Sequence, residues 1–136
     1  MKKDINILKV QDLAIAMVPR TEAEEDYDLF WDAWLINLRS QPLRSIIINS
    51  KGYGLIDDIP RKTSGMRYFW EEINGKTAVK IEPVHSKVLS LANEYWVSFV
   101  FDDYLYDKKY VFVPDSLRPE HLVTLPIVGK QGVMIK

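Results

Sequence analysis

Apolar and polar positions along this chain follow a period of two far more often than 3.6. From Tyr95 to Phe101, residues Tyr95, Val97, Phe99 and Phe101 share one face, and Trp96, Ser98 and Val100 share the other. Trp31, Ala33 and Leu35 likewise alternate with Asp32, Trp34 and Ile36, and Leu13–Val18 is apolar throughout. Side chains on an extended chain point to opposite faces in turn, so these β-branched and aromatic runs predict strands. Eight are expected, near 11–19, 29–39, 43–50, 65–73, 76–82, 94–102, 104–113 and 121–127, with 131–135 as a ninth. Segment 84–92 predicts a single helical turn joining two strands, and the acidic 20–28 a solvated loop.

The punctuation agrees with this reading. Ser40-Gln41-Pro42 suits a turn, and Asn74-Gly75 predicts a two-residue hairpin because both residues tolerate positive φ. Asp102-Asp103, between two aromatic runs, predicts another. Short strands with turns at this spacing point to an all-β fold, an immunoglobulin-like antiparallel β-sandwich of about seven to nine strands, with a small β-barrel as the alternative. A length of 136 residues suits one domain, 1–136, with a core that needs no staples.

Charge and composition narrow the function classes. A formal net charge of −1 provides no general attraction to nucleic acid or an anionic membrane. The absence of cysteine excludes disulfides, thiolate metal sites and a cysteine nucleophile. The start has the paired lysines Lys2-Lys3 of a leader, but its longest apolar stretch, Leu13–Val18, is too short for a signal peptide or a membrane span. A cytoplasmic location is the expectation.

No pattern marks a catalytic centre. Gly52-Tyr53-Gly54 follows an isoleucine-rich run, as a phosphate loop would, but Asp57 stands where the third glycine belongs and no helical face follows. The two glycines therefore predict a corner where a strand ends. Asn74-Gly75-Lys76-Thr77 matches the end of a P-loop, yet Trp70 stands where its first glycine should be. His85 and His121 are isolated, so no metal ligand set is expected. The paired acids at 24–25, 57–58, 71–72 and 102–103 read as solvated or turn residues, and no Gly-x-Ser-x-Gly elbow occurs.

Aromatic residues beside basic ones are the remaining lead. Lys51, Tyr53 and Arg67 form the candidate ligand-binding set, provided 49–54 and 65–70 lie side by side around a concavity. On a strand, Tyr68 and Trp70 share the core-facing side with Met66, which leaves Arg67 and Phe69 on the opposite face.

The stretches WLINLRSQPLRSIIINSKGYG, TSGMRYFW, KIEP, NEYWVSFVFDDYLYDKKYVFVP and LPIVGKQGVMIK together resemble a family of small bacterial proteins of unknown function. The resemblance runs from about residue 10 to the end. Some members carry the label "phenylalanyl-tRNA synthetase subunit alpha". Such a synthetase core uses an arginine motif, faintly echoed by Arg67 in GMRYFWEE, and a glycine-rich motif ending in arginine that this chain lacks. The resemblance supports the fold and implies no catalytic residues. The expected function is a non-catalytic sandwich that works by protein contact, with a second copy or another protein as partner and no cofactor. A small-ligand-binding protein or unrecognised enzyme, and a synthetase-related or RNA-binding accessory, are the alternatives.

Overall fold

The computed structural model describes residues 10–136; Met1–Lys9, including Lys2-Lys3 and the start of the expected 1–136 domain, lie outside the described residues. The described residues form ten strands: β1 (Leu13–Pro19), β2 (Phe30–Asn37), β3 (Leu43–Ile56), β4 (Ile59–Lys62), β5 (Met66–Ile73), β6 (Thr77–His85), β7 (Ala92–Phe101), β8 (Tyr104–Phe112), β9 (Val123–Thr124) and β10 (Gln131–Ile135). A 3₁₀ turn, Ser86–Ser90, joins β6 to β7, and no described helix is long and apolar enough to cross a membrane.

The strands form two antiparallel sheets packed face to face, a β-sandwich. Sheet I has the order β6-β2-β1-β10-β9. Sheet II has the order β4-β3-β7-β8, with β5 also pairing β3. Among the described residues the two sheets stay separate, as in a sandwich and not in the small barrel held as the alternative. Between them lies a core fed by both, including Ile15 and Leu35 from sheet I and Ile46, Val97 and Phe99 from sheet II. Tyr110 ties the layers together, its hydroxyl donating to the Leu13 carbonyl at 3.0 Å.

Three local readings change. First, β3 does not end at Gly52-Tyr53-Gly54 but runs on to Ile56 and turns back through Asp57-Asp58, both at positive φ, into β4. Gly54, at φ +147, adopts a backbone that side chains rarely tolerate, so glycine serves within the strand here. Second, Asn74-Gly75 closes no hairpin: β5 pairs with β3 and β6 with β2, so this turn carries the chain from sheet II to sheet I. Gly75 is required by close approach, since a Cβ there would sit 2.2 Å from the Ser40 carbonyl oxygen. Third, 121–127 contributes only the two-residue β9. Asp102-Asp103, both at positive φ, closes the tight β7–β8 hairpin as the pattern predicts.

The two sheets differ on their outer faces. Behind sheet I a second cluster of Ala14, Ala16, Val18 and Ile36 is covered by Leu125 and the following turn. No such layer covers the outer face of sheet II among the described residues. That asymmetry determines where a site can lie.

Candidate functional site

The outer face of sheet II is built from cross-strand rows. Arg67 of β5, Asn49 of β3, Trp96 of β7 and Lys109 of β8 form one row, and Phe69, Ile47, Ser98 and Asp107 the next. Alternation along each strand sends their neighbours, such as Tyr68, Ile48, Val97 and Tyr110, into the core. The face keeps large apolar side chains in water: Phe69 is 61% exposed, Trp96 42% and Leu105, near the end of β8, 73%. Cations border the tryptophan. Lys109 Nζ lies 4.6 Å from its ring centroid, and Arg67 Nε donates to Asn49 Oδ1 at 2.9 Å.

Beside this row lies a cleft of about 340 Å³, lined among others by Asn49, Lys51, Arg67, Glu94 and Trp96. Lys51 and Arg67 therefore border the same concavity, as the ligand-binding expectation required. Tyr53 does not line it. Its ring folds back along the outer face, its hydroxyl donates to Glu94 Oε1 at 3.2 Å, and Lys51 Nζ lies 3.7 Å from Glu94 Oε2. Burial first, and then the Glu94 charge, raise the Tyr53 pKa above its ordinary value. Glu94, 5% exposed, is thus held by a phenol and an ammonium. Among the described residues Arg67 makes no ion pair, and its guanidinium is held by Asn49.

A second polar centre lies between the sheets, on a residue that sequence patterning did not single out. Glu82 of β6 accepts hydrogen bonds from Ser50 Oγ at 2.9 Å and Tyr68 Oη at 2.7 Å through Oε1, and from Tyr95 Oη at 2.8 Å through Oε2. Its orientation comes from a bulge. In the β2–β6 ladder Trp34 pairs with Lys80 and Ala33 with Glu82, so Ile81 is the extra residue. The insertion turns Glu82 to the side of Ala33, into the sandwich, where unbroken alternation from Val79 and Ile81 would face it outward. The signal was present in the sequence: apolar spacing along β6 lengthens from two, Val79 to Ile81, to three, Ile81 to Val84.

Ser50, Glu82 and Tyr95 open onto a cleft of about 150 Å³ that His85 also lines. Burial above all, reinforced by the carboxylate, raises the pKa of Tyr68 and Tyr95 above the ordinary tyrosine range. All three hydroxyl hydrogens are thus committed to Glu82. The Ser50 hydroxyl is engaged as a donor and is 5% exposed, so the cluster stabilises a carboxylate and joins β6 to β3, β5 and β7. His85 Nδ1 accepts from the Lys87 amide at 3.1 Å and caps the 3₁₀ turn.

Comparison with protein-family models, curated proteins and solved structures finds no match for this chain.

Proposed function

We propose that this chain is an immunoglobulin-like, cytoplasmic, non-catalytic interaction module that contacts another protein through the outer face of sheet II. The observation that carries the reading is the uncovered face itself. Sheet I buries the β1–β2 part of its outer face under Leu125 and the turn after it, whereas sheet II leaves Phe69, Trp96 and Leu105 in water on a rigid, strand-built surface. Exposed aromatic and apolar residues rimmed by cations have the composition of a contact surface, and tryptophan with arginine dominates such contacts when they form. Arg67 and Lys109, on either side of Trp96, call for a partner with an apolar centre and flanking carboxylates.

The test is native capture with the wild-type chain and with a Phe69→Asp/Trp96→Ser variant whose far-ultraviolet spectrum is unchanged. Mass spectrometry should identify a partner held by the wild type alone, and hydrogen exchange should show it protecting β3, β5 and β7. Equal capture by both forms, or protection confined to sheet I, refutes the reading.

The cleft lined by Lys51, Arg67 and Glu94 supports a second reading, an anionic small ligand held by Arg67 over Trp96. Trp96 fluorescence titrated with small carboxylates and phosphates checks it. No saturable change that Arg67→Ala abolishes would remove it.

A further inference from the structure

The free edge of sheet II carries a self-complementary code. Among the described residues β8 pairs only with β7, so its other edge is unpaired along Tyr104–Phe112. The two-residue turn Asp102-Asp103 makes Phe101 and Tyr104 a hydrogen-bonded pair, and antiparallel pairs alternate from there. The even-numbered residues of β8 therefore direct their backbone groups to β7. Leu105, Asp107, Lys109 and Val111 direct theirs to the open edge, while their side chains stand on the outer face.

We infer that β8 is a homodimer edge, joining a second copy in an antiparallel register centred on Lys108. In that register Asp107 meets Lys109 of the second copy, Lys109 meets Asp107, and Leu105 meets Val111 at both ends. Every outward-directed amide and carbonyl of these residues then gains a partner, and the two copies of sheet II form one continuous sheet. Neighbouring registers with the same backbone phase fail. Centring on Asp107 opposes two carboxylates, and centring on Lys109 opposes two ammonium groups. A shift by one residue puts backbone groups that already bond β7 opposite free ones and turns the matched side chains to opposite faces.

Charges on an edge strand ordinarily block pairing. Here they alternate so that a two-fold axis neutralises them, and an isologous contact requires that kind of self-complementarity. The one opposed like pair is Lys108 with itself on the inner face, where its Nζ lies 5.1 Å from the Tyr110 ring centroid and is drawn along its own strand. Leu105, 73% exposed, and Tyr104, 57% exposed, at the hairpin end gain cover from Val111 and Phe112 of the second copy. The inference deepens the contact reading and rests on it: the dimer doubles the uncovered face and leaves Phe69 and Trp96 open.

Three measurements on the full chain test this. Sedimentation of the wild type should show a monomer–dimer equilibrium between micromolar and several hundred micromolar. Asp107→Lys should shift it at least tenfold towards monomer, and the exchanged pair Asp107→Lys/Lys109→Asp should restore it. The chain has no cysteine, so Lys108→Cys in a glutathione redox buffer should form a single symmetric disulfide. Non-hydrogen-bonded antiparallel partners lie about 4.5 Å apart at Cα, within disulfide reach. Leu105→Cys, about 20 Å from its own copy by strand rise, should remain reduced. A wild-type monomer at every concentration overturns the inference and leaves the protein-contact reading to its own capture experiment. A dimer that survives Asp107→Lys, or that cross-links equally through both cysteines, overturns the β8 register while a self-contact persists.

Discussion

Removal of the Glu82 carboxylate tests the inter-sheet cluster most directly. In Glu82→Ala three hydroxyls lose a charged acceptor at 2.7–2.9 Å. A hydrogen bond to a charged group contributes about 1.5–3 kcal/mol, so three set an upper bound of about 9 kcal/mol. Two effects reduce it. Ser50 and Tyr95 border the 150 Å³ cleft, from which water can take over as acceptor, and loss of a half-buried carboxylate removes its desolvation cost. Of the two, Tyr95, 1% exposed, is reached by such water less easily than Ser50. A net loss of about 3 kcal/mol follows, and with a urea m-value of about 1.5 kcal/mol/M the midpoint should fall by about 2 M. Glu82→Gln keeps the volume and one acceptor oxygen but sets an amide NH₂ against a phenol, and should cost only about 1 kcal/mol. Equilibrium urea denaturation, followed by tryptophan fluorescence and circular dichroism together, measures both. A Glu82→Ala midpoint within 0.3 M of the wild type would refute the cluster as a link between sheets, as would equal losses for Ala and Gln.

Other perturbations address the rest of the structure. Burial raises the native pKa of Tyr95 and Tyr110 above the unfolded value of 10.0. Their contribution is therefore fully present below pH 10 and is lost as pH rises beyond it, together by about 2.7 kcal/mol per unit, with the 295 nm tyrosinate absorbance of these two residues appearing only on unfolding. Absorbance from all seven tyrosines in the folded chain at pH 11 would contradict this. Asp32, 3% exposed, receives Arg20 Nε at 3.1 Å and Nη2 at 3.0 Å, with Lys80 Nζ at 3.6 Å. Asp32→Asn should cost about 2 kcal/mol, a drop of about 7 °C in Tm by calorimetry, because an amide faces two cations. Gly75→Ala drives a Cβ to within 2.2 Å of the Ser40 carbonyl and should destabilise by about 3 kcal/mol. Unchanged urea unfolding would show that the Asn74 turn relaxes freely.

Much of the fold was legible because burial on a pleated strand writes itself into the residues at every second position. Tyr95–Phe101 is the clear instance: Tyr95, Val97 and Phe99 are buried and Trp96 is exposed, as alternation requires. Patterning erred where a strand breaks its own rhythm. Leu43 and Ile46 both face the core because β3 bulges at Ser45, held at φ 51. Glu82 faces inward because β6 bulges at Ile81. Asn74-Gly75 misled because a turn that permits a hairpin does not choose which strands pair. The candidate set was legible in part: Lys51 and Arg67 share a cleft, whereas Tyr53 is drawn aside by Glu94, a residue distant in sequence.

The sequence by itself determined the element type, most strand positions and which faces are apolar, since these depend on neighbours one to four residues apart. It also determined the charge alternation along β8, with Asp107 and Lys109 on one face and Lys108 on the other. Only the tertiary structure decided that β5 and β6 lie in different sheets, that a loop covers sheet I and not sheet II, and that Glu82 meets three hydroxyls from three other strands. Those outcomes depend on contacts between residues far apart in the chain, where two bulges and one crossover outweigh any local preference.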